Sequence, residues 1–222
     1  MSRVVLKIGG RVAADAAAEA LALHAEGHEV VVVHGAGPQI SAELERRGIP
    51  VRFVGGRRVT SPEALEVVRE SLAAVNAEVC AAIGPLAVGL DGDEIGLQAT
   101  QVRGLGLVGD PIACAPAAVF EAFADNRIPV VTPLAAGPLN VNADEAAAAL
   151  AVGIGAERIL FVSDVPGVLL DGGVVEELAV DAADRLLGAG TFEGGIVPKL
   201  VAAVRAARQG VRAEIGSTAV TS

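Results

Sequence analysis

The composition of this 222-residue chain excludes several classes of protein. It carries 17 Lys and Arg against 27 Asp and Glu, a net charge of −10, so it lacks the basic surplus that nucleic acids or anionic membranes require. Aromatic residues make up 2% of the chain, which leaves little for base-stacking surfaces. A hydrophobic fraction of 52% excludes disorder, and the length suits one large α/β domain or two small ones.

The sequence also indicates where the protein resides. Its apolar runs are shorter than the roughly 18 residues that span a bilayer, and its first residues lack the features of a signal peptide. Cys80 and Cys114 form no CxxC pair, and we interpret them as small buried side chains in a reducing compartment. We therefore expect a cytoplasmic protein without a membrane or nucleic-acid partner.

Short β-branched runs alternate with Ala- and Glu-rich helical stretches along the chain. The runs are apolar on both faces, as parallel central strands are, and cover residues 4–8, 29–34, 87–90, 129–133 and 158–163. The predicted helices cover residues 13–26, 38–47, 62–82, 115–125, 144–154, 181–187 and 199–209. This alternation predicts an α/β fold with an open, mainly parallel sheet and helices on both faces. The last eight residues are expected to add no more than an edge strand.

The ends of the first two predicted strands carry glycine-rich turns, and ligands bind at the carboxyl ends of strands in such sheets. Lys7, Gly9 and Gly10 offer one cation and unobstructed backbone N–H groups to a phosphate, although a solvated lysine before a tight turn is an equal alternative. The second strand ends in HGAGPQI, a turn into a helix that suits an anion. His34, which begins this motif, has no spaced ligand partner and is predicted to be a structural hydrogen-bonding residue.

The second turn partly matches the GxGxxG motif of dinucleotide-binding proteins. Gly35 and Gly37 fit, but Ile40 occupies the third glycine position. No Asp or Glu follows on the next predicted strand to bind a ribose hydroxyl. The pattern therefore disfavours an NAD-dependent dehydrogenase.

Two arginines lie just ahead of a predicted helix. Arg57 and Arg58 occur in GGRRVTSPE, where Thr60 or Ser61, followed by a proline, begins the helix. An arginine in this position suits bidentate binding of a carboxylate. We expect one of the two to bind a carboxylate and the other to be solvated.

Polar residues also precede the later helices. Asn140 and Asp144 flank the start of an Ala-rich helix, where Asp144 is either the N-cap or a carboxylate that orients lysines. Asp164 begins a turn, DVPGVL, whose backbone could contact a nucleotide base. Lys199 lies at a predicted helix start, where the macrodipole disfavours a cation, so a functional role is indicated.

This ordered set of motifs resembles the amino acid kinase family over residues 4–218. The resemblance is carried by VVLKIGG, VVVHGAGPQI, GRRVTSPE, LNVNADEAAAALA, LFVSDVPGVL and FEGGIVPKL. It implies a single domain over residues 1–222, built as a three-layer αβα sandwich. It also implies transfer of the γ-phosphoryl group of ATP, bound with Mg²⁺, to a carboxylate. Within the family, the motifs are most similar to those of members that phosphorylate N-acetylglutamate in arginine biosynthesis.

The resemblance also implies roles for individual residues. Lys7 and Lys199 would neutralise charge on the transferring phosphoryl group, Gly10 and Gly37 would add backbone donors, and Asp144 would hold the lysines. The acyl-amino-acid substrate would contact Ala36, Gly37, Arg58 and Asn140, with Arg58 on its α-carboxylate. The adenine nucleotide would lie on Asp164, Val165, Pro166, Gly167, Val168, Leu169, Thr191, Phe192 and Glu193. Mg²⁺ would bridge the phosphates, with no protein ligand assigned. The N-terminal part would thus bind the acyl substrate, and the part from about residue 140 would bind ATP.

Three features depart from the family pattern. The usual HGGG is HGAG here, so Ala36 adds a methyl group near the substrate. GLDGDEIGL replaces a commoner Ser-containing turn, and Asp91 and Asp93 are assigned only a turn or rim role. The chain begins directly at the first strand, without the helix that links arginine-sensitive relatives into hexamers, so we expect a homodimer insensitive to arginine.

Two alternative functions remain open from the sequence. A kinase for carrier-linked aminoadipate or glutamate would need a basic docking surface, which the net charge of −10 disfavours. A non-catalytic nucleotide or metabolite sensor with the same fold would be favoured by loss of a lysine, but both lysines and Asp144 are present.

Overall fold

The structure is a computed structural model that describes residues 2–9, 13–162 and 165–222. Gly10 and Asp164 lie outside these ranges. The helices are α1 (Ala13–Ala25), α2 (Gly37–Arg46), α3 (Pro62–Ile83), α4 (Ala117–Ala124), α5 (Ala143–Gly153), α6 (Val180–Gly188) and α7 (Ile196–Arg208). The strands are β1 (Arg3–Ile8), β2 (Glu29–His34), β3 (Phe53–Val54), β4 (Arg57–Arg58), β5 (Ala87–Leu90), β6 (Gln98–Gln101), β7 (Val108–Ile112), β8 (Ile128–Val131), β9 (Leu134–Ala135), β10 (Leu139–Val141), β11 (Arg158–Val162), β12 (Leu169–Leu170), β13 (Gly173–Val174), β14 (Glu177–Ala179), β15 (Arg212–Ile215) and β16 (Thr218–Thr221).

An eight-stranded sheet forms the middle layer, in the order β14-β16-β15-β11-β1-β2-β8-β5. The six strands from β15 to β5 run parallel, while β16 runs antiparallel to β15 and parallel to β14. The order reverses direction at β1, which has β2 on one side and β11 on the other. A reversal of this kind opens a crevice at the carboxyl ends of the strands, where ligands bind in open α/β sheets.

Helices cover both faces of this sheet because its central strands are apolar on both sides. In β2, Val30 and Val32 pack with the cluster formed by α1, α2 and α3, whereas Val31 and Val33 pack with the cluster formed mainly by α5 and α7. This is the two-residue alternation of a strand buried on both faces. The three-layer αβα sandwich is therefore confirmed.

Local chemistry explains where the long helix α3 begins and ends. Ser61 is its N-cap and accepts a hydrogen bond from the Ala64 N–H at 3.1 Å, and Pro62 follows at the first helical position. The helix ends at Gly84, whose φ of 82° lies in the left-handed region that glycine adopts without strain.

A smaller, four-stranded sheet, β6-β7-β10-β9, lies apart from the main one, and β10 leads directly into α5. Two further strand pairs are short hairpins, β3–β4 and β12–β13. The sequence analysis did not predict the small sheet, because its strands are short and partly exposed and so lack a clear apolar period.

The predicted elements differ from the observed ones mainly at their ends. The strands predicted at 29–34 and 87–90 have the observed bounds, whereas α7 begins three residues earlier than predicted. The expected edge strand at the C-terminus is wrong in one respect, since β16 pairs with neighbours on both sides and β14 forms the edge. Within the described residues, no helix combines the length and apolarity needed to cross a membrane.

Candidate active site

A cavity of about 490 Å³ opens at the carboxyl ends of β1 and β2. It gathers residues that are distant in sequence, because the parallel strands and the starts of α2, α5 and α7 meet at this edge. The sequence-predicted residues that line it are Lys7, Ala36, Gly37, Arg58, Asn140, Asp144 and Lys199.

The first end of the cavity is built around a buried ion pair. The Lys7 Nζ lies 2.7 Å from Asp144 Oδ1, and each residue is 5% exposed. Lys7 is the one polar position in the buried stretch of β1, where a lysine without an opposite charge would be costly. The pair therefore holds one cation in a fixed position at the cavity wall.

Asp144 is placed by the first turn of α5 but does not cap it. The N-cap is Asn142, whose Oδ1 accepts hydrogen bonds from the N–H groups of Asp144 and Glu145 at 2.9 and 3.2 Å. Of the two roles considered for Asp144, N-cap and lysine partner, the first is wrong. The helix N-terminus still favours a carboxylate there through its macrodipole.

The backbone of the two glycine-rich strand-end turns is open to a ligand. A Cβ placed on Gly9 or Gly37 would meet no described protein atom within 4 Å. Ala36, 2% exposed, lies between the two strand-end glycines of HGAG and has an ordinary φ of −138°. This φ lies outside the left-handed region that favours glycine.

Lys199 lines the same cavity from α7. It lies in the first turn of this helix, and its Nζ donates to the Gly195 carbonyl at 3.4 Å. The predicted helix start at residue 199 is corrected to Ile196, so the lysine is the fourth residue of the helix. Whether Asp144 also orients Lys199 stays a prediction.

The second end of the cavity contains Arg58, which is 6% exposed. Its Nη2 donates to the Gly37 carbonyl at 3.0 Å and to Ser41 Oγ at 2.9 Å, and its guanidinium lies 4.6 Å from the centre of the Phe53 ring. Its Nη1 is buried without a hydrogen-bond partner, and no carboxylate pairs with Arg58 in the part of the chain that the structure describes. Burial lowers the pKa of Arg58 from its usual value.

Asn140 is fixed beside Arg58 through a buried threonine. The Asn140 Nδ2 donates to Thr60 Oγ1 at 2.9 Å, and this hydroxyl in turn donates to the Arg58 carbonyl at 2.7 Å. Thr60 is fully buried. The threonine thus connects two residues that the resemblance assigns to the acyl substrate.

Arg57 is not solvated, and the expectation that one arginine of the pair would be is wrong. Its Nη2 lies 2.9 Å from both Glu145 Oε2 and Asp110 Oδ1. Burial alone would lower the pKa of Arg57, but these carboxylates raise it above its usual value. A solvated arginine was the simplest interpretation of the sequence, because both carboxylates are far from Arg57 in sequence.

His34 is buried at the end of β2 and remains neutral. Its Nε2 is 3.1 Å from Asn76 Nδ2, which also donates to the Val130 carbonyl at 2.9 Å. Burial lowers the pKa of His34 to about 4, because the protonated ring would lose its hydration. This agrees with the predicted structural, hydrogen-bonding role.

The residues expected to bind the nucleotide lie beyond the described lining of this cavity. Val165, Pro166, Gly167, Val168 and Leu169 follow β11, which pairs with β1 in the register Ile8 to Val162, so both strands end at one edge. The Val168 N–H donates to Thr218 Oγ1 at 2.8 Å, and Pro166 O accepts from Ser217 N–H at 2.9 Å. Thr191, Phe192 and Glu193 lie in the loop between α6 and α7. The structure does not bring these two segments into the cavity that it forms around Lys7.

Asp91 and Asp93, to which the sequence analysis assigned only a turn or rim role, lie at a turn. The Asp91 carbonyl accepts from the N–H groups of Glu94 and Ile95, each at 3.0 Å, and Asp93 pairs with Arg69. The described residues contain no group of three His, Cys, Asp or Glu side chains placed to hold a metal ion.

Sequence reasoning missed Glu145, Asn142 and Phe53 at this site. Glu145 directly follows Asp144 and is buried, and Phe53 stacks on Arg58. The adjacent arginines Arg57 and Arg58 and the adjacent acidic residues Asp144 and Glu145 could have suggested two ion pairs. The sequence does not show which arginine contacts which carboxylate.

Comparison with known proteins agrees with this architecture. The model of the amino acid kinase family matches residues 2–217. The acetylglutamate kinase of Nocardioides sp. is 44% identical and aligns with 94% of this chain and 75% of its own. That of Rubrobacter xylanophilus is 41% identical and aligns with 97% of this chain and 88% of its own. A crystal structure of a Streptococcus mutans protein, 26% identical, superposes with a TM-score of 0.90 over 99% of this chain and 98% of that one. The chain belongs to the amino acid kinase family.

Proposed function

We propose that this protein transfers the γ-phosphoryl group of ATP to the side-chain carboxylate of N-acetyl-L-glutamate, forming N-acetyl-L-glutamyl 5-phosphate in arginine biosynthesis. The observation that carries the proposal is a single cavity lined both by Lys7, Asp144 and Lys199 and by Arg58. The relatives described above, at 41 and 44% identity, are acetylglutamate kinases and support the same substrate.

The attacking group needs no base in this reaction. A side-chain carboxylate with a pKa near 4 is already ionised at neutral pH. His34, the histidine of the strand-end motif, is neutral and fully buried. Catalysis then depends on positioning and on electrostatic stabilisation of the transferring group.

The two lysines supply that stabilisation. Lys7, held 2.7 Å from Asp144, would face the transferring phosphoryl group as a cation that the protein positions in advance. Lys199 would act from the first turn of α7, and the open backbone at Gly9 and Gly37 would add N–H donors. Gly10 has the same proposed role but lies outside the described residues.

The acyl substrate would be held through its α-carboxylate. The unpartnered Nη1 of Arg58 is a buried donor, and a carboxylate is the ligand that satisfies it with a charge-assisted hydrogen bond. Asn140, fixed through Thr60, and the backbone of Ala36 and Gly37 would contact the acyl-amino group.

The nucleotide would lie on the segments after β11 and before α7, with Asp164, Val165–Leu169 and Thr191–Glu193 as its contacts. Mg²⁺ bound with ATP would neutralise charge on the phosphates, and no described residue is assigned to hold it. The division into an acyl-binding N-terminal part and an ATP-binding part from about residue 140 stays a prediction. A homodimeric state and a cytoplasmic location also stay predictions. The molar mass in solution tests the homodimer.

The direct test traps the acyl phosphate. Purified protein is incubated with ATP, Mg²⁺ and hydroxylamine, and hydroxamate is measured with N-acetylglutamate, glutamate, aspartate or carrier-linked aminoadipate. Hydroxamate from N-acetylglutamate alone would support the proposal. Turnover on the carrier-linked substrate alone would contradict it in favour of the tethered pathway, and no turnover at all would favour a sensor.

A further inference from the structure

A network of four charged side chains adjoins the candidate site, and one of them, Arg57, also lines its cavity. Arg57 Nε lies 3.1 and 3.0 Å from the two carboxylate oxygens of Glu145, and its Nη2 is 2.9 Å from Asp110 Oδ1. The same Asp110 oxygen accepts from Arg205 Nη1 at 2.8 Å. These residues come from β4, α5, β7 and α7, so the network joins four separate elements.

Three of the four members are adjacent to a residue proposed to act in the reaction or share a helix with one. Arg57 precedes Arg58, and Glu145 follows Asp144. Arg205 lies on α7, the helix that carries Lys199. The network therefore links the element that holds the acyl substrate to both helices that carry the phosphoryl-transfer groups.

The hairpin that carries Arg58 depends on such contacts for its position. β3 and β4 have two residues each, too few for a two-stranded ribbon to hold itself. Its other polar contact with α5 is the hydrogen bond from Asn142 Nδ2 to the Gly56 carbonyl at 3.1 Å, which is exposed. The Arg57–Glu145 pair is the stronger tie, because it is charge-assisted and Glu145 is only 6% exposed.

Burial makes this pair sensitive to the loss of either partner. Desolvation raises the pKa of Glu145, and the hydrogen bonds from Arg57 oppose that rise. Removing Arg57 would leave a buried carboxylate unpaired, whereas removing both groups would leave no buried charge. An experiment can therefore separate an effect on the stability of the protein from an effect on the position of the β3–β4 hairpin.

We propose that Arg57 and Glu145 are positioning residues, which fix the β3–β4 hairpin and thereby set Arg58 against the Lys7–Asp144 end of the cavity. The inference rests on the proposed function for its kinetic consequence, but the fixed position of the hairpin is a property of the protein without ligand.

The experiment compares Arg57→Met, Glu145→Met and the double variant. Arg57→Met should lower Tm by about 10 °C, Glu145→Met should lower it less because Arg57 keeps Asp110 as a partner, and the double variant should recover most of the loss seen in Arg57→Met. The KM for N-acetylglutamate should rise about tenfold in all three, with kcat and the KM for ATP within about twofold of wild type. A pair with a purely structural role would instead return KM to the wild-type value when Tm recovers.

A second measurement needs no substrate. Hydrogen–deuterium exchange of the segment 52–59 should be about tenfold faster in the double variant than in the wild type, because the hairpin has lost its main tie. Glu43→Gln is the matched control, since Glu43 pairs with Arg46 and Arg47 on the exposed side of α2 and should change neither exchange nor KM.

The two measurements distinguish the possible failures. An inactive wild type whose hairpin exchange still accelerates in the double variant would overturn the proposed function and support the positioning role. An active wild type, with unchanged KM and exchange in the double variant, would overturn the positioning role alone. If a single variant fails to fold, the double variant carries both measurements.

Discussion

The two ends of the cavity hold their cations in opposite ways. Lys7 is 5% exposed and has a protein carboxylate 2.7 Å away. Arg58 is almost as buried, at 6% exposed, yet its described partners are a carbonyl, a hydroxyl and an aromatic ring, all of them neutral. The first cation is balanced by the protein itself, and the second has no balancing charge among the residues that the structure describes.

This difference indicates a division of labour. A cation that is paired in advance needs no ligand to hold it in place, so it can stabilise a charge that develops only in the transition state. A buried cation without an acidic partner gains most from a ligand that brings a carboxylate. One end is thus suited to the reaction and the other to recognition of the substrate.

The largest expected effect comes from the paired end. Lys7→Ala should lower kcat about 1,000-fold, because it removes charge stabilisation in the transition state. It should also lower the free energy of unfolding by about 3 kcal/mol, because it leaves Asp144 buried and unpaired. Hydroxamate formation and urea unfolding measure the two effects. A folded variant with near-normal kcat would break the comparison, and Arg46→Ala on the exposed side of α2 is the control.

A different pattern is expected at the unpaired end. Arg58→Ala should raise the KM for N-acetylglutamate about 100-fold while kcat changes far less, because the lost contact serves binding. Its loss of stability should be smaller than that of Lys7→Ala, because no buried carboxylate is left alone. N-acetylglutamate should raise Tm in the wild type but not in this variant. An unchanged Tm shift would show that the carboxylate binds elsewhere.

His34 extends the comparison to a buried titratable group that carries no charge. Its pKa is about 4 in the folded protein, whereas a histidine in the unfolded chain has its ordinary pKa of 6.5. The unfolded chain therefore binds the extra proton between these values, and stability is lost as the pH falls from 6.5 towards 4. The loss reaches about 3 kcal/mol. His34→Gln should lose less stability over this range in urea unfolding, and equal losses in both proteins would refute the assignment.

The smallest effect is expected between the two ends. Ala36→Gly should lower the free energy of unfolding by about 0.5–1 kcal/mol through the greater freedom of the unfolded chain. Its KM for N-acetylglutamate should change less than about threefold, because Ala36 is only 2% exposed and its N–H is retained. A larger change in steady-state KM would show that the methyl group shapes the acyl pocket.

Much of the fold could be predicted from local patterns. The runs of valine in β1 and β2 and the Ser61–Pro62 helix start each contain their own structural information, because apolar period and capping act over a few residues. The small sheet β6-β7-β10-β9 could not be predicted in this way, since its strands are stabilised by partners that are distant in sequence.

At the site, the sequence identified the residue types but not their pairing. Lys7, Arg58, Asn140, Asp144 and Lys199 were singled out, and all of them line one cavity. The N-cap role considered for Asp144 belongs to Asn142, and neither arginine is the solvated one expected, since Arg57 is paired and Arg58 is buried.

The sequence by itself determined five strands of the main sheet, seven helices, the strand-end turns and the family that the motifs resemble. The tertiary structure alone decided which cationic side chain pairs with which carboxylate. Arg57 and Arg58 are neighbours on a strand, so their side chains point to opposite faces, while Asp144 and Glu145 are rotated by about 100° on a helix. Asp144 lines the cavity and Glu145 does not, whereas both arginines line it and only Arg57 pairs with described carboxylates. The approach of β4 to α5 pairs Arg57 with Glu145 and leaves Arg58 without an acidic partner among the described residues.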